Sequence, residues 1–248
     1  EEVVFRVQGY VLRSTLPPIT SLNQINGHGL LRLTKNPQSA KQVLVLTGLG
    51  SKEFDDCIRA VVAIHSRFAS HLPADALQPW VPVTDDGDLC LELSNRYFTP
   101  KHLAAEYEVS KINDDLDPLG LLKSRAGGLH HTEDNEVLYF ERMKEPTAKY
   151  RYLPCSPITV KVGLLVEAQV SFCAVPISKG RFLMLSKLRS VCILDRQVYE
   201  VRKTYGKKRL KRKVGYGEEG NSEDDTTSQA MKKLKIIENG RQTMNTTE

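Results

Sequence analysis

The sequence predicts an α+β protein: a mixed sheet with one or two helices, followed by an antiparallel β sheet or open barrel, and a disordered C-terminal tail. Three observations predict it. A short apolar run at residues 43–46 leads through Gly48 and Gly50 into one amphipathic helical segment. Strict apolar/polar alternation governs residues 166–172. Beyond Tyr205 apolar residues thin out and runs of charge replace them. The organisation that follows is an α+β region over 1–125, an antiparallel β-rich region over 126–205 that can pack with the first as one domain, and a tail over 206–248.

Each element has a local reason. Residues 3–13 are rich in β-branched and aromatic side chains and read as a strand ended by Pro17-Pro18. Gly27 and Gly29 mark a loop around His28, with a short strand at 30–34. Residues 43–46 read as a buried strand. Ser51 then caps a helix whose first turn holds Glu53, Asp55 and Asp56, where carboxylates suit the helix dipole. Phe54, Ile58, Val61, Val62 and Phe68 recur at helical spacing, and Pro73 stops the run. Residues 79–82 and 85–88 are turns, and 89–93 alternates as a strand. Thr99 is placed to cap a short helix with Pro100 at its first position, presenting Leu103, Ala104 and Tyr107. Residues 113–128 are loop-like, with a turn at 117–120. Strands are expected at 137–140, 150–153 and 158–162.

The strongest β signal is the alternation of Val166, Ala168, Val170 and Phe172 with Glu167, Gln169 and Ser171. Pro176 ends this strand, Ser178-Lys179-Gly180 supplies a turn, and residues 182–194 return as its partner. Alternation fails at Leu183-Met184-Leu185, which points to a bulge or to burial on both faces.

Composition bounds the setting. With 248 residues, 40% hydrophobic and 26% charged, the chain can bury a substantial core. No apolar run approaches the about 20 residues that cross a bilayer, so no membrane partner is expected. The five cysteines, Cys57, Cys90, Cys155, Cys173 and Cys192, form no CxxC pair. Most sit among apolar neighbours and read as buried free thiols in a reducing, intracellular compartment. In that setting the sequon at Asn245 is incidental.

Charge is concentrated at the end. Residues 206–248 hold 10 of the 35 Lys/Arg and 7 of the 30 Asp/Glu, leaving the body a formal net of +2. Lys207, Lys208, Arg209, Lys211, Arg212 and Lys213 form a cationic cluster, and Lys232, Lys233 and Lys235 a second. Such clusters attract an importin-type receptor or nucleic-acid phosphates. Their spacing exceeds the short linker of a bipartite import signal. Between them lie Glu218, Glu219, Glu223, Asp224 and Asp225, beside a phosphorylatable Ser222.

One other constellation carries chemistry on paper. In His130-His131-Thr132-Glu133-Asp134, His131 and Asp134 are of the type that ligates iron, manganese or zinc, given a distal histidine. His28, His65, His71 and His102 are the candidates, none at supporting spacing. The competing reading is a polar turn that enters the strand at Val137. Gly48-Leu49-Gly50-Ser51 lacks the remaining glycine and lysine positions of a phosphate loop. Asp85, Asp86 and Asp88 lack an EF-hand's bidentate glutamate. No GxSxG elbow and no Cys/His pair suggests nucleophilic catalysis.

The runs at 131–137, 162–163, 166–172 and 188–190 resemble a group of uncharacterised proteins numerous in mushroom-forming fungi, mainly over residues 117–195. The resemblance implies a eukaryotic setting and no particular activity. Residues 162–172 are also similar to the entry strand of small barrels in chromatin and nucleic-acid modules. The sequence thus supports a non-enzymatic nuclear interaction protein associated with nucleic acid or chromatin, with the cytoplasm as the other location. The alternatives are a metal-dependent enzyme using His131 and Asp134, and a truncated multicopy-gene product without selected activity.

Overall fold

The N-terminal β-branched stretch forms β1, Phe5–Thr15, and the apolar run lies inside β2, Lys41–Thr47. The computed structural model describes residues 2–21, 40–146, 149–197 and 199–200. The strand expected at 30–34, His28 and the whole tail with its basic clusters lie outside them. Among the described residues no helix is long and apolar enough to cross a membrane.

Helix α1, Lys52–Ala69, begins as the sequence dictates: the Ser51 hydroxyl accepts a hydrogen bond from the Phe54 N–H at 3.2 Å. Its Phe54, Ile58 and Val61 are buried. Phe54 fits where side chains are missing. A Cβ on Gly48 would lie 2.7 Å from Phe54 Cγ, and one on Gly9 would lie 2.9 Å from its Cε2. A hairpin follows, β3 (Val83–Asp85) and β4 (Asp88–Arg96). Asp86 and Gly87 turn it at φ 48° and 90°, the positive angles that a two-residue hairpin needs.

Helix α2 is short, Lys101–Ala104. The expected Thr99 cap is not made. Pro100 occupies the cap position, and the Thr99 hydroxyl donates instead to Asn135 Oδ1 at 3.1 Å. The later strands are β5 (Leu138–Lys144), β6 (Tyr150–Pro154), β7 (Leu165–Pro176) and β8 (Phe182–Asp195). The strand expected at 158–162 is absent. Pro157–Thr159 forms a 3-10 turn and Gly163 reverses the chain at φ 93°. Val160 still reaches the core, from a loop.

β7 and β8 form the expected long hairpin, turned by Lys179 and Gly180 at positive φ. The bulges fall elsewhere than at 183–185. The register passes from Gln169↔Ser190 to Val170↔Leu188, and from Leu165↔Asp195 to Val166↔Ile193, so Arg189 and Leu194 are the extra residues. A bulge puts two successive side chains on one face. Leu188, Val191 and Ile193 can then all be buried while Arg189 and Ser190 are directed away from the core.

Among the described residues the eight strands belong to one sheet, in the order β3-β4-β2-β1-β7-β8-β5-β6, with a further β4–β8 pairing. The barrel is therefore the circuit β1-β2-β4-β8-β7, closed back on β1. Three of its strands precede residue 125, so it is not confined to the expected β-rich region over 126–205. Nor is the later part purely antiparallel, because β5 and β4 both run parallel to β8. Numbered within the circuit, the order is 1-2-3-5-4 with the third strand parallel to the fifth. That is the topology of the OB-fold, a five-stranded, partly open Greek-key barrel. The core contains Leu44, Leu46, Leu91, Leu93, Val166, Ala168, Val170, Leu188 and Val191 together with the buried face of α1.

Candidate nucleic-acid interface

The segment holding His131 and Asp134 lies at the barrel seam. β4 meets β8 at a single register position, Ser94↔Lys187. Residues Glu133–Asn135 form a 3-10 turn beside it. Asn95 Nδ2 donates to the Asp134 carbonyl at 2.8 Å and to the Leu188 carbonyl at 3.3 Å. The Asp134 carboxylate, 4% exposed, accepts from Lys187 Nζ at 3.0 and 2.9 Å and from Arg189 Nη2 at 2.8 Å. Arg189 Nη1 reaches the Asp134 carbonyl at 2.8 Å, and its guanidinium also binds Glu2. Burial alone would raise the Asp134 pKa. The hydrogen bonds from Lys187 and Arg189 prevail and hold it below the usual carboxylate range.

His131 faces a different partner. It is buried, and its Nδ1–H donates to the Tyr97 carbonyl at 2.7 Å. His65 Nε2 is bonded to the Gln78 carbonyl, and His71 Nδ1 to the Arg67 carbonyl, each at 2.8 Å. Among the described residues no three His, Cys, Asp or Glu gather as a metal would require. Gln42, Thr99, Thr132 and Tyr139 complete a buried polar network around Asn135. The turn therefore fastens the seam, and Asp134 is matched by cations on β8.

The sheet edge carries a different arrangement, one that the strand assignments at 137–140 and 150–153 did not single out. Residues opposed across β5 and β6 share a face: Lys144 with Tyr150, Arg142 with Tyr152, Phe140 with Pro154. Tyr150 is 53% and Tyr152 56% exposed. The Arg142 guanidinium lies 4.5 Å from the Tyr150 ring centroid, a cation–π contact. Glu141, the one carboxylate on β5, projects from the other face and pairs with Arg196 at 2.7 Å. Lys144 makes no ion pair among the described residues, and neither do Lys149 and Arg151 beside it. β6 stands at the end of the strand order, so among the described residues its outer edge is unpaired. The signal was present as two tyrosines at alternate positions in Tyr150-Arg151-Tyr152, opposite the alternate cations of Arg142-Met143-Lys144.

No family model matches the chain, and no curated protein does. Among solved structures it is similar to the crystal structure of gp2.5, a single-stranded DNA binding protein encoded by bacteriophage T7. The identity is 12%, the match covers 77% of this chain and 91% of that one, and the TM-score is 0.40.

Proposed function

We propose that the protein binds single-stranded nucleic acid on the β5–β6 face and performs no reaction on it. The observation that carries this reading is the pair of exposed tyrosines on one face of an edge strand, interleaved with Arg142 and Lys144. Tyrosines two residues apart on a strand are separated by about 6.8 Å. Each ring can take one base, and the cations lie where the intervening phosphates pass. Stacking of this kind needs unpaired bases, because a duplex hides its base faces. It is tolerant of sequence, since every base has a π face.

The test is fluorescence anisotropy with a labelled oligothymidylate and a matching duplex. The single strand should bind more tightly. Replacing both Tyr150 and Tyr152 by Ala should weaken it about tenfold or more, at about 1–3 kcal/mol per stacked base. Equal binding by the double variant at unchanged thermal stability would refute the interface.

The same reading assigns the basic clusters, Lys207, Lys208, Arg209, Lys211, Arg212 and Lys213 with Lys232, Lys233 and Lys235, to import through an importin-type receptor. A second role for them is added phosphate contact. It makes this a nuclear protein. A fluorescent fusion lacking residues 207–213 should lose nuclear accumulation, and an unchanged distribution would remove that assignment.

A further inference from the structure

A cleft of about 980 Å³ opens near the seam, at the upper end of the range of ligand pockets. Its walls are apolar: Phe5, Phe68, Tyr107, Leu138 and Phe172 line it. Phe5 and Phe172 meet edge to face at 5.7 Å. Leu138 is 54% and Phe5 40% exposed. Large side chains left uncovered together on one concave surface mark an interaction site.

The lining charges divide into two sets. Lys187 and Arg189 are matched by Asp134 and Glu2. Glu133, Glu136 and Arg67 remain. Two more carboxylates flank Tyr107, on Glu106 and Glu108, and the Glu108 carbonyl accepts from the Glu133 N–H at 3.1 Å. All four glutamates are exposed, and none makes an ion pair among the described residues. Arg67 is the one unmatched lining cation among the described residues and these carboxylates outnumber it, so a polyanion is disfavoured and the cleft is not an extension of the proposed nucleic-acid face. The two meet along β5, where Leu138 shares a face with Phe140 and Arg142 and lies about 13 Å from Arg142 along the strand; the sign of the charge is what divides them.

We infer that this cleft docks a basic, apolar segment of a partner protein: large aliphatic or aromatic side chains on the floor, with lysine or arginine against Glu133, Glu136 and their neighbours. The recognition joins non-directional burial of apolar surface to charge complementarity at the rim, which selects against acidic competitors.

Two labelled probe peptides, one of leucine and lysine and one with glutamate in place of lysine, test this against the full chain. The leucine–lysine peptide should bind saturably and the glutamate peptide at least about fivefold more weakly, in proportion to the exposed charge pairs. Leu138→Asp and Tyr107→Ala should each weaken the basic peptide about tenfold or more by removing apolar contact. Glu133→Lys should weaken it and strengthen the acidic one. All three positions are exposed, so circular dichroism should show unchanged folding. Absence of saturable binding, equal binding of both peptides, or indifference to these substitutions would overturn the proposal. Oligonucleotide binding by Tyr107→Ala, a position outside β5 and β6, reports separately on the β5–β6 face.

Discussion

Asp134→Asn should loosen the barrel at its seam. The substitution keeps the shape of the side chain and removes its charge, leaving Lys187 and Arg189 side chains, each only 18% exposed, without their shared anion. Breaking a buried pair from one side costs about 3–5 kcal/mol. Arg189 keeps Glu2, so the lower end, about 3 kcal/mol, applies. A body of around 200 residues loses about 2–4 °C per kcal/mol, and Tm should fall by about 6–12 °C at pH 7. The dependence on pH has a definite sign. The folded-state pKa of Asp134 lies below its ordinary value, so its stabilisation is complete above the unfolded value of about 3.9. It is lost as pH falls through the folded value. The wild-type advantage should hold from neutrality to about pH 5 and shrink below about pH 4. Urea unfolding at pH 7 and across the acid range measures it. A variant within about 0.5 kcal/mol of wild type at pH 7, or a difference that grows on acidification, would refute the ion pair as the seam's fastening.

Gly48→Ala should cost about 1–3 kcal/mol by overpacking, since its new Cβ would collide with Phe54, itself held by the buried face of α1; denaturant midpoints check this. Cys57, Cys90, Cys173 and Cys192 are free thiols whose pKa values burial pushes above the ordinary thiol range. Thiol-reagent kinetics at neutral pH should therefore show them reacting far more slowly in the native protein than in urea.

Elements set by local chemistry were legible in the sequence. The Ser51 cap with Phe54, Ile58 and Val61 at helical spacing gave α1, and strict alternation gave β7. The Ser178-Lys179-Gly180 turn gave its partner. Elements set by long-range pairing were not. Residues 158–162 have strand composition, yet they lie between Pro157 and Gly163, and of them Val160 alone reaches the core, from a loop. No periodicity tells that β1, β2 and β4 close a circuit with β7 and β8, because strand order depends on partners as far apart as Ser94 and Lys187 or Val7 and Ala168. Of the two readings of residues 183–185, a bulge or burial on both faces, the second holds, and the bulges lie where the sequence has no local signal. Leu183-Met184-Leu185 breaks alternation because both faces are partly covered there, whereas Leu188-Arg189-Ser190-Val191 looks regular until Val191 must be buried. His131 and Asp134 drew attention by residue type. Type alone did not reveal that Asp134 lies against two cations while His131 turns to a backbone carbonyl.

The placement of that bulge links the seam to the proposed nucleic-acid face. Along one edge of β8 the neighbour changes: β4 is beside Lys187, and β5 runs beside residues 190–193. Arg189 stands at the change. Two strands cannot both continue along one edge, so they diverge, and the fork between them exposes backbone groups that must be satisfied. Residues 133–135 lie just ahead of β5 and fill that fork, with the Asp134 carbonyl taken up by Asn95 of β4 and Arg189 of β8. The extra residue supplies the guanidinium without moving Val191 or Ile193 out of the core. β5 consequently leaves the seam in a fixed register with β8, and β6 is carried with it to the open edge. The orientation of Tyr150 and Tyr152 is thus set by the fork that Asp134 fastens, and weakening that fastening should disturb their presentation before it unfolds the barrel.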